Sequence, residues 1–180
     1  GAINIISKAP TKKLNLDLGT GYASGRQVNG FVNAGTRFRA FWLQGGFAWL
    51  GSDTFPLSRN FQTNPLQPGF ERRNAYQTDS KGRIRFAWTP NSRDQYTFTY
   101  AKQNGEKGNP PYAGTDPAVR VRYWQWPRWD KESVYFIGNK SMGEGSYLRV
   151  RLYYDKFDNL IRAYDNANYN SQNLGSSFNS

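Results

Sequence analysis

The sequence predicts an all-β chain, folded as an antiparallel up-and-down meander of about seven strands. Two observations predict it. Apolar residues recur with period two in a series of short segments, and those segments are joined alternately by tight turns and by long irregular connections. Composition agrees with sheets that are apolar on one side and wet on the other. Only 37% of the chain is hydrophobic, and twelve Phe, twelve Tyr and six Trp make up nearly half of that share. No apolar run approaches the roughly 18 residues that a transmembrane helix needs, which leaves membrane barrels open, because their strands alternate.

Taken in order, Leu14, Leu16 and Leu18 alternate with Asn15, Asp17 and Gly19, which places a first strand at 13–23. Ser24-Gly25-Arg26 reads as a tight turn, and Val28, Val32 and Ala34 share a face of a second strand at 27–36. Phe31 breaks that alternation. A third strand at 40–51 sets Phe41, Leu43, Phe47 and Trp49 opposite Trp42, Gln44 and Ala48. The stretch 52–78, with Pro56, Pro65, Pro68 and Gly69, is expected to be a long loop. The clearest alternation lies in 81–89, where Gly82, Ile84, Phe86 and Trp88 oppose Arg83, Arg85 and Ala87. After a turn at 90–94, Tyr96, Phe98 and Tyr100 mark a strand at 95–103, followed by a second long loop at 105–130. Strands at 132–139 and 147–157 flank a turn at 141–146, and 158–180 is expected to be irregular, with no terminal strand. A chain starting on the side of the short turns at 36–39, 90–94 and 141–146 has all three long loops on the other side.

Arginines sharpen the reading of the faces. Leu148, Val150, Leu152 and Tyr154 form one face of the seventh strand, against Arg149, Arg151 and Asp155. An arginine facing lipid at the midplane costs about 2–4 kcal/mol, so in a membrane wall Arg83, Arg85, Arg149 and Arg151 would face a lumen. A soluble β-sandwich accounts for the same alternation by turning them to solvent. It accounts less well for Trp49, Trp88, Tyr96, Tyr100 and Tyr154, which fall on the apolar face near strand ends, where outer-membrane barrels carry aromatic girdles.

Several chemistries are not expected. The chain has no Cys and no His, which removes thiol nucleophiles, Ser-His-Asp triads, disulfides and common zinc sites. Glu71, Glu106, Glu132 and Glu144 fall in loops, turns or at a strand start, with no facing carboxylate pair of the kind a glycosidase needs. Asp53, Asp116 and Asp165 lack calcium-loop spacing. No catalytic residue, metal or cofactor is therefore expected. The net charge of +11 is spread along the chain rather than gathered in one arm, so nucleic acid is not the expected partner.

The first ten residues narrow the class. Gly1, Ile3, Asn4, Ile5, Ile6, Ser7, Lys8 and Pro10 resemble the plug-to-barrel junction of TonB-dependent outer-membrane receptors. The segments Tyr153-Tyr154-Asp155-Lys156-Phe157-Asp158-Asn159 and Trp126-Pro127-Arg128-Trp129-Asp130-Lys131 are similar, less specifically, to extracellular-loop boundaries of iron-complex receptors in that family. The resemblance implies that residues 1–10 are the last plug strand, and 11–180 the first part of a barrel of about 22 strands. It further implies an outer-membrane location and contact with outer-membrane lipid. It also implies uptake of a ferric siderophore or a similar scarce nutrient, driven by TonB through the plug. In such a receptor Arg59, Arg72, Arg73, Tyr76, Tyr112, Trp124 and Trp126 are candidates for ligand contact, as basic and aromatic residues of the long loops. The main rival is a soluble carbohydrate-binding β-sandwich that uses Trp124, Trp126 and Trp129 as a sugar platform.

Overall fold

The computed structural model describes residues 9–180. They form one eight-stranded antiparallel sheet in strict sequence order: β1 Asn15–Ala23, β2 Gln27–Phe38, β3 Phe41–Ser52, β4 Gln77–Trp88, β5 Gln95–Asn109, β6 Tyr123–Gly143, β7 Ser146–Tyr164 and β8 Gln172–Asn179. The sheet is an open meander. The junction residues Gly1, Ile3, Asn4, Ile5, Ile6 and Lys8 lie outside the described residues. Pro10 is buried against Gly35, where an added Cβ would stand 2.6 Å from the proline ring. Gly35 belongs to the polar face of β2, so the chain reaches β1 by crossing that face.

Two expected loops are much shorter than anticipated. β5 runs on to Asn109 and β6 begins at Tyr123, so the connection expected at 105–130 shrinks to 110–122. β7 continues to Tyr164, and the stretch expected to be irregular at 158–180 contains an eighth strand, leaving a loop of 165–171. The cause is physical. Alternation marks a strand only where one face is apolar and the other polar, and these extensions either are polar on both faces or mix apolar and polar residues on each, while keeping their ladder hydrogen bonds. Pro127, which lacks an N–H, sits within β6 where the pairing with β7 shifts between Gln125 and Arg128.

The register sorts the side chains into two faces. Phe38, Phe41, Trp88 and Tyr96 form one cross-strand row, and Leu43, Phe86, Phe98, Phe136 and Leu152 form the next. The opposite face carries Asp17, Asn33, Arg83, Ser133 and Asp155 in one row and Gln44, Arg85, Thr99, Tyr135 and Tyr153 in another. The apolar face is uncovered: Leu18 is 69% exposed, Ile84 57% and Leu152 62%. Among the described residues the buried apolar side chains are Trp42, Ala87 and Ala163, so this sheet has no conventional core.

Candidate functional site

Three regions merit description: the apolar belt, the arginines behind it, and the knot of loops at the long-loop end. The belt slants across the sheet. Its limit toward the long loops is Tyr22 on β1 and Val28 on β2, Trp49 on β3, Ile84 on β4 and Tyr154 on β7. The row of Tyr154 passes through Val134, Tyr100, Ile84, Gly45 and Ala34 to Leu16 on β1. From Leu16 to Tyr22 is about 20 Å at about 3.3 Å per residue, accumulated over strand steps of about 4.8 Å each that total about 29 Å. The slope is about 35°, within the usual tilt of barrel strands against the barrel axis. Beyond the limit stands a charged row on the same face, Lys102, Glu132 and Lys156. At the other limit the aromatic row is stacked: Phe41 and Trp88 lie 6.4 Å apart between ring centroids, and Trp88 and Tyr96 5.3 Å.

Arg83, Arg85, Arg149 and Arg151 share the polar face. The Arg85 guanidinium lies 5.3 Å from the ring centroid of Trp42, which is only 3% exposed, and its Nη1 has no hydrogen-bond partner among the described residues. Gln44, its cross-strand neighbour, has an equally unpartnered Oε1. Arg149 donates to Asn139 Oδ1 at 2.7 Å. A concavity of about 860 Å³ at the short-turn end of this face is lined by Arg37, Trp42, Arg93 and Arg149, with Ala9 at its edge.

The loop knot centres on Gln67, which is fully buried. Its amide donates to the carbonyls of Gly69 at 2.7 Å and Glu71 at 2.9 Å. Its Oε1 accepts from the Arg72 guanidinium at 2.9 Å and from the Arg73 N–H at 3.2 Å. Arg72 also donates to the Pro111 carbonyl, and Arg73 to the Ala167 carbonyl at 3.0 Å. Burial lowers the Arg72 pKa. Asn74 donates to the carbonyls of Asn109 and Trp124 at 2.9 and 2.7 Å. The loops 53–76, 110–122 and 165–171 are thus tied together by their own polar groups.

Arg72 and Arg73, expected as ligand contacts, donate instead to the Gln67 side-chain oxygen and to the backbone carbonyls of Pro111 and Ala167. Tyr76 is half-buried, and its phenol is pushed up by burial, with Glu106 and Tyr164 adding to the effect. Tyr112 is half-buried, and its hydroxyl accepts from the Asp116 N–H at 3.1 Å. Arg59 is exposed at the loop surface. Trp124 and Trp126 are strand residues of β6, and with Trp129 and Phe157 they form an edge-to-face ladder of 6.1, 6.2 and 5.0 Å. Lys107 Nζ stands 5.2 Å from the Trp126 ring and 3.8 Å from the Trp129 ring, and Arg122 covers Trp124 at 4.8 Å. The ladder is already stacked with the chain's own cations.

No family model, curated protein or solved structure matches the chain. Sequence reasoning missed Gln67, Asn74 and Lys107, whose partners lie far away in sequence. It also missed a latch in which Arg26 Nε meets Asp53 and Nη1 meets Glu71, both at 2.9 Å. Hydrogen bonds from Arg26 to those two carboxylates raise its pKa. Among the described residues, no group of three or more acidic side chains is placed to hold a metal.

Two predictions arise from these contacts. Gln67→Ala would strand Arg72 Nη1, the Arg73 N–H and the Gly69 and Glu71 carbonyls, at a cost of about 1–3 kcal/mol. Faster proteolytic cleavage within 53–76, with the sheet's circular dichroism unchanged, is the expected result; unchanged cleavage would remove Gln67 from this role. The second concerns Asp94, in the turn between β4 and β5. It accepts from Lys140 Nζ at 2.8 Å, the Ser141 N–H at 2.8 Å and the Asn91 amide at 3.1 Å, and these hold its pKa down to about 2. A depressed carboxylate contributes fully above its ordinary value of 3.8 and loses that contribution as pH falls toward about 2. Exchange of the Ser141 amide should accelerate across that window, and Asp94→Asn should abolish the pH dependence.

Proposed function

We propose that the chain is a section of the wall of an outer-membrane β-barrel of the TonB-dependent receptor type, serving energy-coupled uptake of an iron complex or similar nutrient. The observation that carries the wall is the belt: an uncovered apolar face whose limit toward the long loops slants against the register as a flat membrane slab would cut tilted strands. The receptor type rests on the junction motif and on the approach of Pro10 across the polar face, the face that would line a plugged lumen. On this reading Arg83, Arg85, Arg149 and Arg151 face the lumen, the loops tied by Gln67 lie outside the cell, and the lipid partner covers the belt. The cargo would meet the exposed Arg59 and the half-buried Tyr112 of the loops, while Arg72 and Arg73 hold the loops in place. The rival carbohydrate-binding sandwich needs a second sheet over the apolar face, and the described residues form one sheet only.

The test uses the absence of cysteine. Single cysteines at Ile84, Phe86, Arg83 and Arg85, each carrying an environment-sensitive fluorophore, would be refolded into vesicles containing brominated lipid. Strong quenching at 84 and 86 and weak quenching at 83 and 85 is expected. Equal quenching at all four would reject a membrane wall.

A further inference from the structure

The short-turn rim is basic in a way that the wall itself does not require. Lys12 and Lys13 precede β1, Arg39 lies in the turn between β2 and β3, Arg93 in the turn between β4 and β5, and Lys140 near the end of β6. Among the described residues the acids that share this rim are Asp94 and Glu144. Asp94 is fully engaged, by Lys140, the Ser141 N–H and Asn91. Lys12, Lys13, Arg39 and Arg93 remain exposed. At the other end Arg26 is matched by Asp53 and Glu71, and Arg72 and Arg73 bind carbonyls, while the exposed Arg59 and Arg120 stand in loops away from the edge of the belt.

The position of these cations matters as much as their number. The row of Phe38, Phe41, Trp88 and Tyr96, stacked from Phe41 to Tyr96, forms the lower limit of the apolar belt, and the basic rim begins just beyond it. Arg39 joins the two, with its guanidinium 5.3 Å from the centroid of the exposed Phe38 ring. An apolar band ending in aromatic rings and then in unpaired cations matches the order of acyl chain, interface and phosphate in a leaflet.

We propose that the short-turn rim binds the anionic headgroups of phospholipids in the adjoining leaflet, with Lys12, Lys13, Arg39 and Arg93 as the contacting groups. The inference rests on the wall reading and adds a lipid preference to it. Flexible cationic side chains reach from the belt's edge to headgroup phosphates, as long basic side chains do at membrane interfaces.

The 180-residue chain would be refolded from urea into vesicles of phosphatidylcholine alone, or with about one third phosphatidylglycerol, and bound protein measured by flotation. Two fourfold variants of equal net charge are compared. One replaces Lys12, Lys13, Arg39 and Arg93 by Gln at the rim, and the other replaces Arg59, Lys102, Arg120 and Lys156 by Gln toward the long loops. Phosphatidylglycerol should raise binding of the unmodified chain by about tenfold or more. The rim variant should lose that gain and the other should keep it. Equal loss in both variants would mean simple net-charge attraction and overturn the proposal, as would retention of the gain by the rim variant. Should the rim variant lose its β-sheet circular dichroism, Lys12→Gln with Lys13→Gln, which lies outside every strand, makes the same comparison. Failure to bind neutral vesicles, with rim-dependent binding to anionic ones, would reject the wall and keep the rim.

Discussion

In detergent-free buffer the chain is expected to self-associate, and in a mild detergent to become monodisperse with its β-sheet circular dichroism retained. Burying one exposed large apolar side chain gains about 1.5–3 kcal/mol. Leu16, Leu18, Phe47, Ile84, Phe86, Phe98 and Leu152 are only part of the face that stands open, so the drive to cover it exceeds the roughly 5–15 kcal/mol that holds an ordinary domain together. The sheet adds a second cause. β1 pairs only with β2, and β8 pairs with β7 over part of its length, so ladder groups at both edges remain available to another chain. Light scattering coupled to size exclusion, with and without detergent, reads the outcome. A monodisperse monomer that melts cooperatively in plain buffer would contradict an uncovered apolar face, and the membrane reading with it.

Much of the fold was legible in the sequence because the belt imposes alternation wherever it crosses a strand. Ile84, Phe86 and Trp88 against Arg83 and Arg85 mark both the strand and its faces, and the register bears out that division. What escaped was the part of each strand that runs beyond the belt. In 104–109 both faces are polar, and in 123–131 and 158–164 each face mixes apolar and polar residues, so period two has nothing to report, and Pro127 reads as a breaker although a shift of register accommodates it. β8 escaped for the same reason: Gln172, Asn173, Ser176 and Ser177 give no apolar face, and the strand exists through its pairing with β7.

The candidate site was less legible than the fold. Charge and aromaticity drew attention to Arg72, Arg73, Trp124 and Trp126, but residue type alone does not say what those groups already touch. Arg72 and Arg73 are committed to carbonyls contributed by loops 39 and 94 residues away, and the tryptophans to Lys107 and Arg122. Gln67, the residue that organises the knot, is uncharged and sits in a loop rich in similar residues. Nothing local distinguishes it.

The faces of β4 lead to the sharpest expectation. Phe86 stands between Leu43 and Phe98 in its cross-strand row, and its ring is stacked on Phe41 at 5.8 Å. Phe86→Arg would put a cation near the middle of the belt, at a cost of about 2–4 kcal/mol in a bilayer. Arg85, one residue away, faces the other side, where its Nη1 and the neighbouring Gln44 Oε1 both lack partners. Arg85→Gln would give up a stacking contact on Trp42 and relieve an unpartnered donor, so its effect on stability should stay within about 1 kcal/mol. Urea unfolding of the vesicle-bound chain, followed by tryptophan fluorescence, measures both variants. A large loss for Phe86→Arg with a small change for Arg85→Gln is expected. If Phe86→Arg unfolded like the unmodified chain while Arg85→Gln collapsed, the face assigned to lipid would be the wrong one.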